Sequence, residues 1–155
     1  MKVLFLDIDG VLNSTRTAVA FDGFPHSFEQ MDKFDAAALA LLRKLCEQGV
    51  MVVLSSSWRI QYTAEEVSKA LKVPVLDVTP TGGRNRGSEI EAWLDENKAC
   101  DTWAIVDDNS DMLPWQMDRF VQTSTHEGLT LRDYGRLCSL LDLPDRDVLK
   151  FLQIL

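Results

Sequence analysis

The fold this sequence predicts is α/β: an open, mostly parallel sheet with helices on both faces, giving three layers. Three observations predict it. Short apolar runs recur along the chain, segments with helix-end signals separate them, and polar residues gather directly after the runs. The runs cover residues 3–6, 50–54, 73–76 and 103–106 and are uninterrupted by polar side chains. Strands of that kind belong in a parallel sheet covered on both faces, where neither side meets water.

The first run is followed by Asp7 and Asp9, and then by residues 14–28, which read as a small β-hairpin flap. Asp35 can cap a helix that carries Leu39, Leu42 and Leu45 on one face and stops at Gly49. After the second run, Thr63 with Glu66 matches a capping box, and after the third so does Ser88 with Glu91. Beyond the fourth run, Thr130 opens a helix with Leu131, Tyr134, Leu137 and Leu141 at helical intervals, and Asp145 opens a last one ending at Leu152. Trp58, Trp93, Trp103, Trp115 and Phe120 read as core. His26 and His126 are isolated and read as ordinary surface residues.

The bulk composition narrows the function classes. The 155 residues fit one domain spanning 1–155, and 46% hydrophobic with 26% charged residues is the balance of a globular chain. A formal charge of −8 disfavours a general grip on nucleic acid or an anionic membrane, though not a local basic rim. Cys46, Cys100 and Cys138 lack zinc or redox spacing and read as reduced thiols. With no apolar run long enough to span a membrane and no signal-peptide pattern, the expected location is cytoplasmic. No obligate protein partner is evident.

Ligands of open α/β sheets bind beyond the carboxyl ends of the strands, so the residues just after each run are the site candidates. The segment Asp7-Ile8-Asp9-Gly10-Val11-Leu12-Asn13 aims two carboxylates, two residues apart, to one side of a strand end. Leu54-Ser55-Ser56-Ser57-Trp58-Arg59 offers hydroxyl and backbone donors at a second strand end, and Gly82-Gly83-Arg84-Asn85-Arg86-Gly87 places two cations before a helix. Asp107-Asp108-Asn109-Ser110-Asp111 crowds three acids into five residues, a density that a hard cation would relieve. Taken singly, the second and third segments suit ordinary loops.

In this order the four segments resemble the signature of the haloacid dehalogenase (HAD) superfamily of phosphatases, over residues 3 to about 111. The resemblance implies a Rossmann-like domain and a Mg2+-dependent phosphomonoester hydrolase with an aspartyl-phosphate intermediate. It makes Asp7 the nucleophile and Asp9 the general acid and base, and gives the metal to Asp7, Asp9, Asp107 and Asp108. It assigns the phosphate to Ser55 or Ser56 and to Arg86 or Arg84, both choices staying open. Asp111 would support the metal or cap a helix.

Only about 25 residues separate Asp9 from the helix near Asp35, which leaves no room for a large cap domain and resembles the capless branch. The SSSWR and DDxxDM strings with Gly128-Leu129-Thr130 look most like HAD domains associated with nucleic-acid repair. Arg16, Arg59, Arg84 and Arg86 would form a basic rim, with Asp111 beside it, suited to a nucleotide or a polynucleotide end. The alternatives are a phosphotransferase with the same intermediate and a non-catalytic HAD-like binding module.

Overall fold

The computed structural model describes residues 1–147. Its five strands are β1 (Lys2–Leu6), β2 (Val50–Leu54), β3 (Val75–Val78), β4 (Thr102–Asp107) and β5 (Phe120–Gln122). Its helices are α1 (Thr15–Ala20), α2 (Ala36–Glu47), α3 (Ala64–Leu71), α4 (Arg86–Glu96) and α5 (Leu131–Leu140). The sheet is parallel throughout, in the order β3-β2-β1-β4-β5, so the strand that carries the first acidic pair is central.

Strand alternation sorts the core into two layers. Leu4 and Leu6 of β1 pack with Leu39, Leu42 and Leu45 of α2, Val67 and Leu71 of α3, and Leu137 of α5. Val3 and Phe5 face the opposite way, toward Ile90 and Trp93 of α4. Phe5 meets Trp93 edge-on with ring centroids 5.4 Å apart. Register levels the strand ends: Leu6 pairs with Leu54 of β2 and Val106 of β4, so Asp7, Ser55 and Asp107 leave the sheet side by side. Helix-end chemistry follows the sequence at Asp35, which accepts from Ala37 N and Ala38 N, and at the Thr63–Glu66 capping box. Thr130 caps α5 as expected.

Several expectations are corrected. Residues 14–28 contain no β-hairpin. Ser14 and Thr17 form a capping box that nucleates α1, and Gly23 N closes the following turn on Ala18 O. α4 starts at Arg86, three residues ahead of the expected cap position's first turn, because Asn85 caps it and Ser88 is the second member of that box. β3 lies two residues later than residues 73–76, after Pro74, which has no N–H for a ladder. β5 was not anticipated. Trp115 is 50% exposed rather than core, although Phe120, Trp58 and Trp93 are buried and Trp103 is half-buried. The last expected helix begins as a short 3-10 turn, Pro144–Asp147, and otherwise lies outside the described residues. The three cysteines are unbonded. Among the described residues no helix is long and apolar enough to cross a membrane.

Candidate active site

Parallel register delivers the acids. Asp7 N donates to Val106 O at 3.1 Å and Ser55 N to Leu6 O at 2.8 Å, continuing the ladders one residue past the strands. Asp7 is 5% exposed and Asp107 1% exposed, so both carboxylates are out of bulk water. Carboxylate oxygens of Asp7, Asp107 and Asp108 lie within 4.8 Å of one another. Asp107 accepts from Asn109 N at 2.9 Å, and Asp108 accepts from Thr125 Oγ1 at 3.1 Å.

Arg86 is the cation that meets this cluster. Its Nη1 donates to Asp7 Oδ1 at 3.0 Å, to Asp107 Oδ2 at 3.4 Å and to the Ser55 carbonyl. The residue is placed by the loop after β4. Arg86 N donates to Asp111 Oδ2 and Gly87 N to Asp111 O, each at 3.2 Å. Arg84 is exposed and has no partner among the described residues, so of the two candidate cations Arg86 is the one at the carboxylates.

The serines separate just as clearly. Ser56 Oγ accepts from Trp58 N at 3.3 Å and caps the short 3-10 turn Ser57–Ile60. Ser55 Oγ is buried without a hydrogen-bond partner among the described residues, as is Asp111 Oδ1. A buried hydroxyl left unpaired costs about 1–3 kcal/mol, and a ligand oxygen would recover it.

The electrostatics show an excess of negative charge. Burial raises the Asp7 carboxyl above its usual range, against the pull of Arg86. Burial and the neighbouring Asp7 charge push Asp107 up to about 9. Burial works against the Arg86 charge, but Asp7 and Asp107 outweigh it and hold the guanidinium protonated. A single cation therefore leaves the set undercompensated. Hard carboxylate oxygens, an unpaired acid oxygen at Asp111 and a surplus of charge are the donor chemistry that suits Mg2+. Asp7, Asp107 and Asp108 are the side chains that would hold it.

Asp9 stands apart from that set, contrary to its expected place among the metal-ligating carboxylates. It is exposed, and its two oxygens accept from Asn13 Nδ2 at 3.0 Å and Trp58 Nε1 at 3.1 Å. With these donors it borders a cavity of about 360 Å³ lined also by Pro25, His26, Ser57, Trp58, Ile60 and Gln61, and by none of the three clustered carboxylates. A larger cavity of about 630 Å³, lined by Arg16, Asp35, Leu41 and Leu131, includes none of the clustered carboxylates.

The expected rim cations differ in what holds them. Arg16 pairs with Asp35 at 2.8 Å, beside the cap of α2. The Arg59 side chain is 6% exposed and points inward, bonding Ser56 O, Thr79 O and Glu89 Oε2. Asn13 and Trp58 were not recognised as site residues. Asn13 closes the first motif four residues after Asp9, and its Oδ1 also accepts from Gly10 N at 3.1 Å. Trp58 packs as core while presenting its N–H to Asp9, a double use that sequence patterning does not separate. His26 reaches the Asp9 cavity, whereas His126 is exposed with Nδ1 3.2 Å from Thr15 Oγ1.

Comparison with protein-family models matches residues 3–134 to the HAD domain in Swiss Army Knife RNA repair proteins. No curated protein and no solved structure matches the chain. With a five-stranded parallel sheet, no large cap domain and acids at the ends of its central strands, the chain belongs to this family of HAD domains, phosphatase-type hydrolases linked to RNA repair.

Proposed function

We propose that the protein is a Mg2+-dependent phosphomonoester hydrolase that works through an aspartyl-phosphate on Asp7, with a nucleotide or polynucleotide end as substrate. One observation carries the reading. Asp7 is a buried carboxylate bracketed by Arg86 and by Asp107 and Asp108, beside the unpaired Ser55 hydroxyl.

Attack by a carboxylate on a phosphate dianion meets repulsion of roughly 4 kcal/mol per unit pair at about 4 Å and an effective dielectric near 20. Arg86, 3.0 Å from Asp7 Oδ1, offsets part of that charge. Bound Mg2+ would supply the remaining charge neutralisation. An oxygen of Asp7 forms the bond to phosphorus as the bond to the leaving oxygen breaks, and that oxygen takes its proton from Asp9. Ser55 Oγ and the Arg86 guanidinium hold the phosphoryl oxygens. In the second half, Asp9 takes a proton from water as the water oxygen attacks phosphorus, releasing phosphate and regenerating Asp7. Asp9 suits this work because it follows Asp7 by two residues and is held by Asn13 and Trp58 at the edge of an open cavity.

The test is hydrolysis of an aryl phosphate with Mg2+ and again with EDTA. Turnover should require the metal and vanish in Asp7→Asn. Asp9→Asn should lose most turnover while its Mg2+ titration midpoint stays within about threefold, since its carboxylate lies outside the proposed metal set. An inactive wild type, or a fully active Asp7→Asn protein, would remove the proposal.

A further inference from the structure

We infer that the cavity beside Asp9 is a leaving-group subsite that binds a single hydroxyl-bearing unit, the sugar of a terminal nucleotide, and makes little use of the rest of a strand. The inference rests on the hydrolase reading above, because it takes Asp9 as the donor to the leaving oxygen.

Position is the first ground. The group attached to an oxygen that Asp9 protonates lies next to Asp9, and the hollow that Asp9 borders is lined by Pro25, His26, Ser57, Trp58, Ile60 and Gln61. Chemistry is the second. The side chains of His26, Ser57 and Gln61 have no hydrogen-bond partner among the described residues. Imidazole, hydroxyl and carboxamide thus converge on one hollow with their donors and acceptors unspent. Such groups match the hydroxyls of a sugar. Buried Pro25 and Ile60, 74% exposed, give the apolar surface against which a sugar or base can lie.

Charge is the third ground. Among the described residues no lysine or arginine lines the hollow, and Asp9 is the one carboxylate that does. A second phosphate placed there would find no cation in the lining to balance it. Arg59 is committed inward to Glu89, and neither Arg16, paired with Asp35, nor the exposed Arg84 lines the hollow. At about 360 Å³ the hollow is near the lower end of small-molecule sites, enough for one unit and not for several.

The experiment compares three probes with Mg2+: acetyl phosphate, a ribonucleoside monophosphate carrying its phosphate at the 3′ or the 5′ position, and an oligonucleotide phosphorylated at the matching end. The subsite predicts that the oligonucleotide KM lies within about threefold of the mononucleotide KM and varies weakly with salt. The 3′ and 5′ arms identify which sugar hydroxyl carries the phosphate. His26→Ala and Gln61→Ala should each raise KM for the nucleotide at least fivefold more than for acetyl phosphate. An oligonucleotide KM more than tenfold below that of the mononucleotide overturns the inference, and so do variants that affect both small substrates in parallel. A wild type that hydrolyses none of the probes instead overturns the hydrolase reading itself.

Discussion

Alanine at position 10 probes the carboxylate set from the backbone side. Gly10 has φ +80°, the left-handed region. A Cβ built there would lie 2.1 Å from Asp108 Oδ2, 2.3 Å from its Cγ and 2.8 Å from its Cβ. Gly10 has little freedom to turn aside, because its carbonyl accepts from Thr123 Oγ1 at 2.7 Å and its N–H is held by Asn13. The Asp108 side chain must therefore swing away and give up its bond from Thr125. A non-glycine residue in this conformation costs about 1–2 kcal/mol, and the lost hydrogen bond about 1 kcal/mol. The sum of about 2–3 kcal/mol corresponds to a fall in Tm of roughly 5–10 °C for a chain of this size. Removing one of three clustered carboxylates should weaken Mg2+ binding at least tenfold. Scanning calorimetry and a calorimetric Mg2+ titration on the same preparation measure both effects, and Asp108→Asn should reproduce the metal loss without the fall in Tm. A Gly10→Ala protein melting within about 1 °C of wild type, with an unchanged Mg2+ midpoint, would refute the geometry.

Three further outcomes follow from the same contacts. Asp7 and Asp107 hold protons more tightly folded than unfolded, so the stability they contribute is complete below about pH 4 and is lost as pH rises toward the folded value, about 9 for Asp107. Metal-free protein should therefore lose Tm between pH 5.5 and 8 while the Mg2+-induced rise grows, and Asp107→Asn should flatten the slope; a metal-free Tm that climbs over that range contradicts this. Trp58→Phe keeps a ring among Phe28, Phe34 and Tyr62 but deletes the N–H on Asp9, so kcat should fall about tenfold, for about 1.5 kcal/mol, with little change in Tm; an unchanged kcat would show that this bond is idle. Arg59→Ala strands Glu89 in a buried site and should cost about 3–5 kcal/mol by chemical denaturation, an effect a merely exposed rim cation would not produce.

How far the sequence could be read depends on where each signal resides. β1, β2 and β4 are central strands, and burial on both faces writes them as unbroken apolar runs. β3 is an edge strand with exposed Leu76 and Asp77, so its apolar signal comes from Val73, which packs in the core just before the strand begins. β5 has three residues, too few to show a period. The acids at positions 7, 107 and 108 were legible because register carries the ends of adjacent parallel strands to one place. Arg59 was misread for the opposite reason: its partner Glu89 lies 30 positions away, and no local pattern reveals it. The 14–28 segment was mistaken because α1 is only six residues long and is started by a serine–threonine box rather than by an apolar stripe.

The clasp of Asp111 on the first turn of α4 separates two jobs that a loop usually combines. Since the backbone of Arg86 and Gly87 is moored to Asp111, in the loop after β4, the exposed tract 81–84 does not have to hold that turn in place. Extra residues inserted in that tract would add roughly 0.6 kcal/mol for each doubling of its length and leave the charge where it is. This is the spot at which a new reading element could be grafted onto the rim without retuning the chemistry beneath.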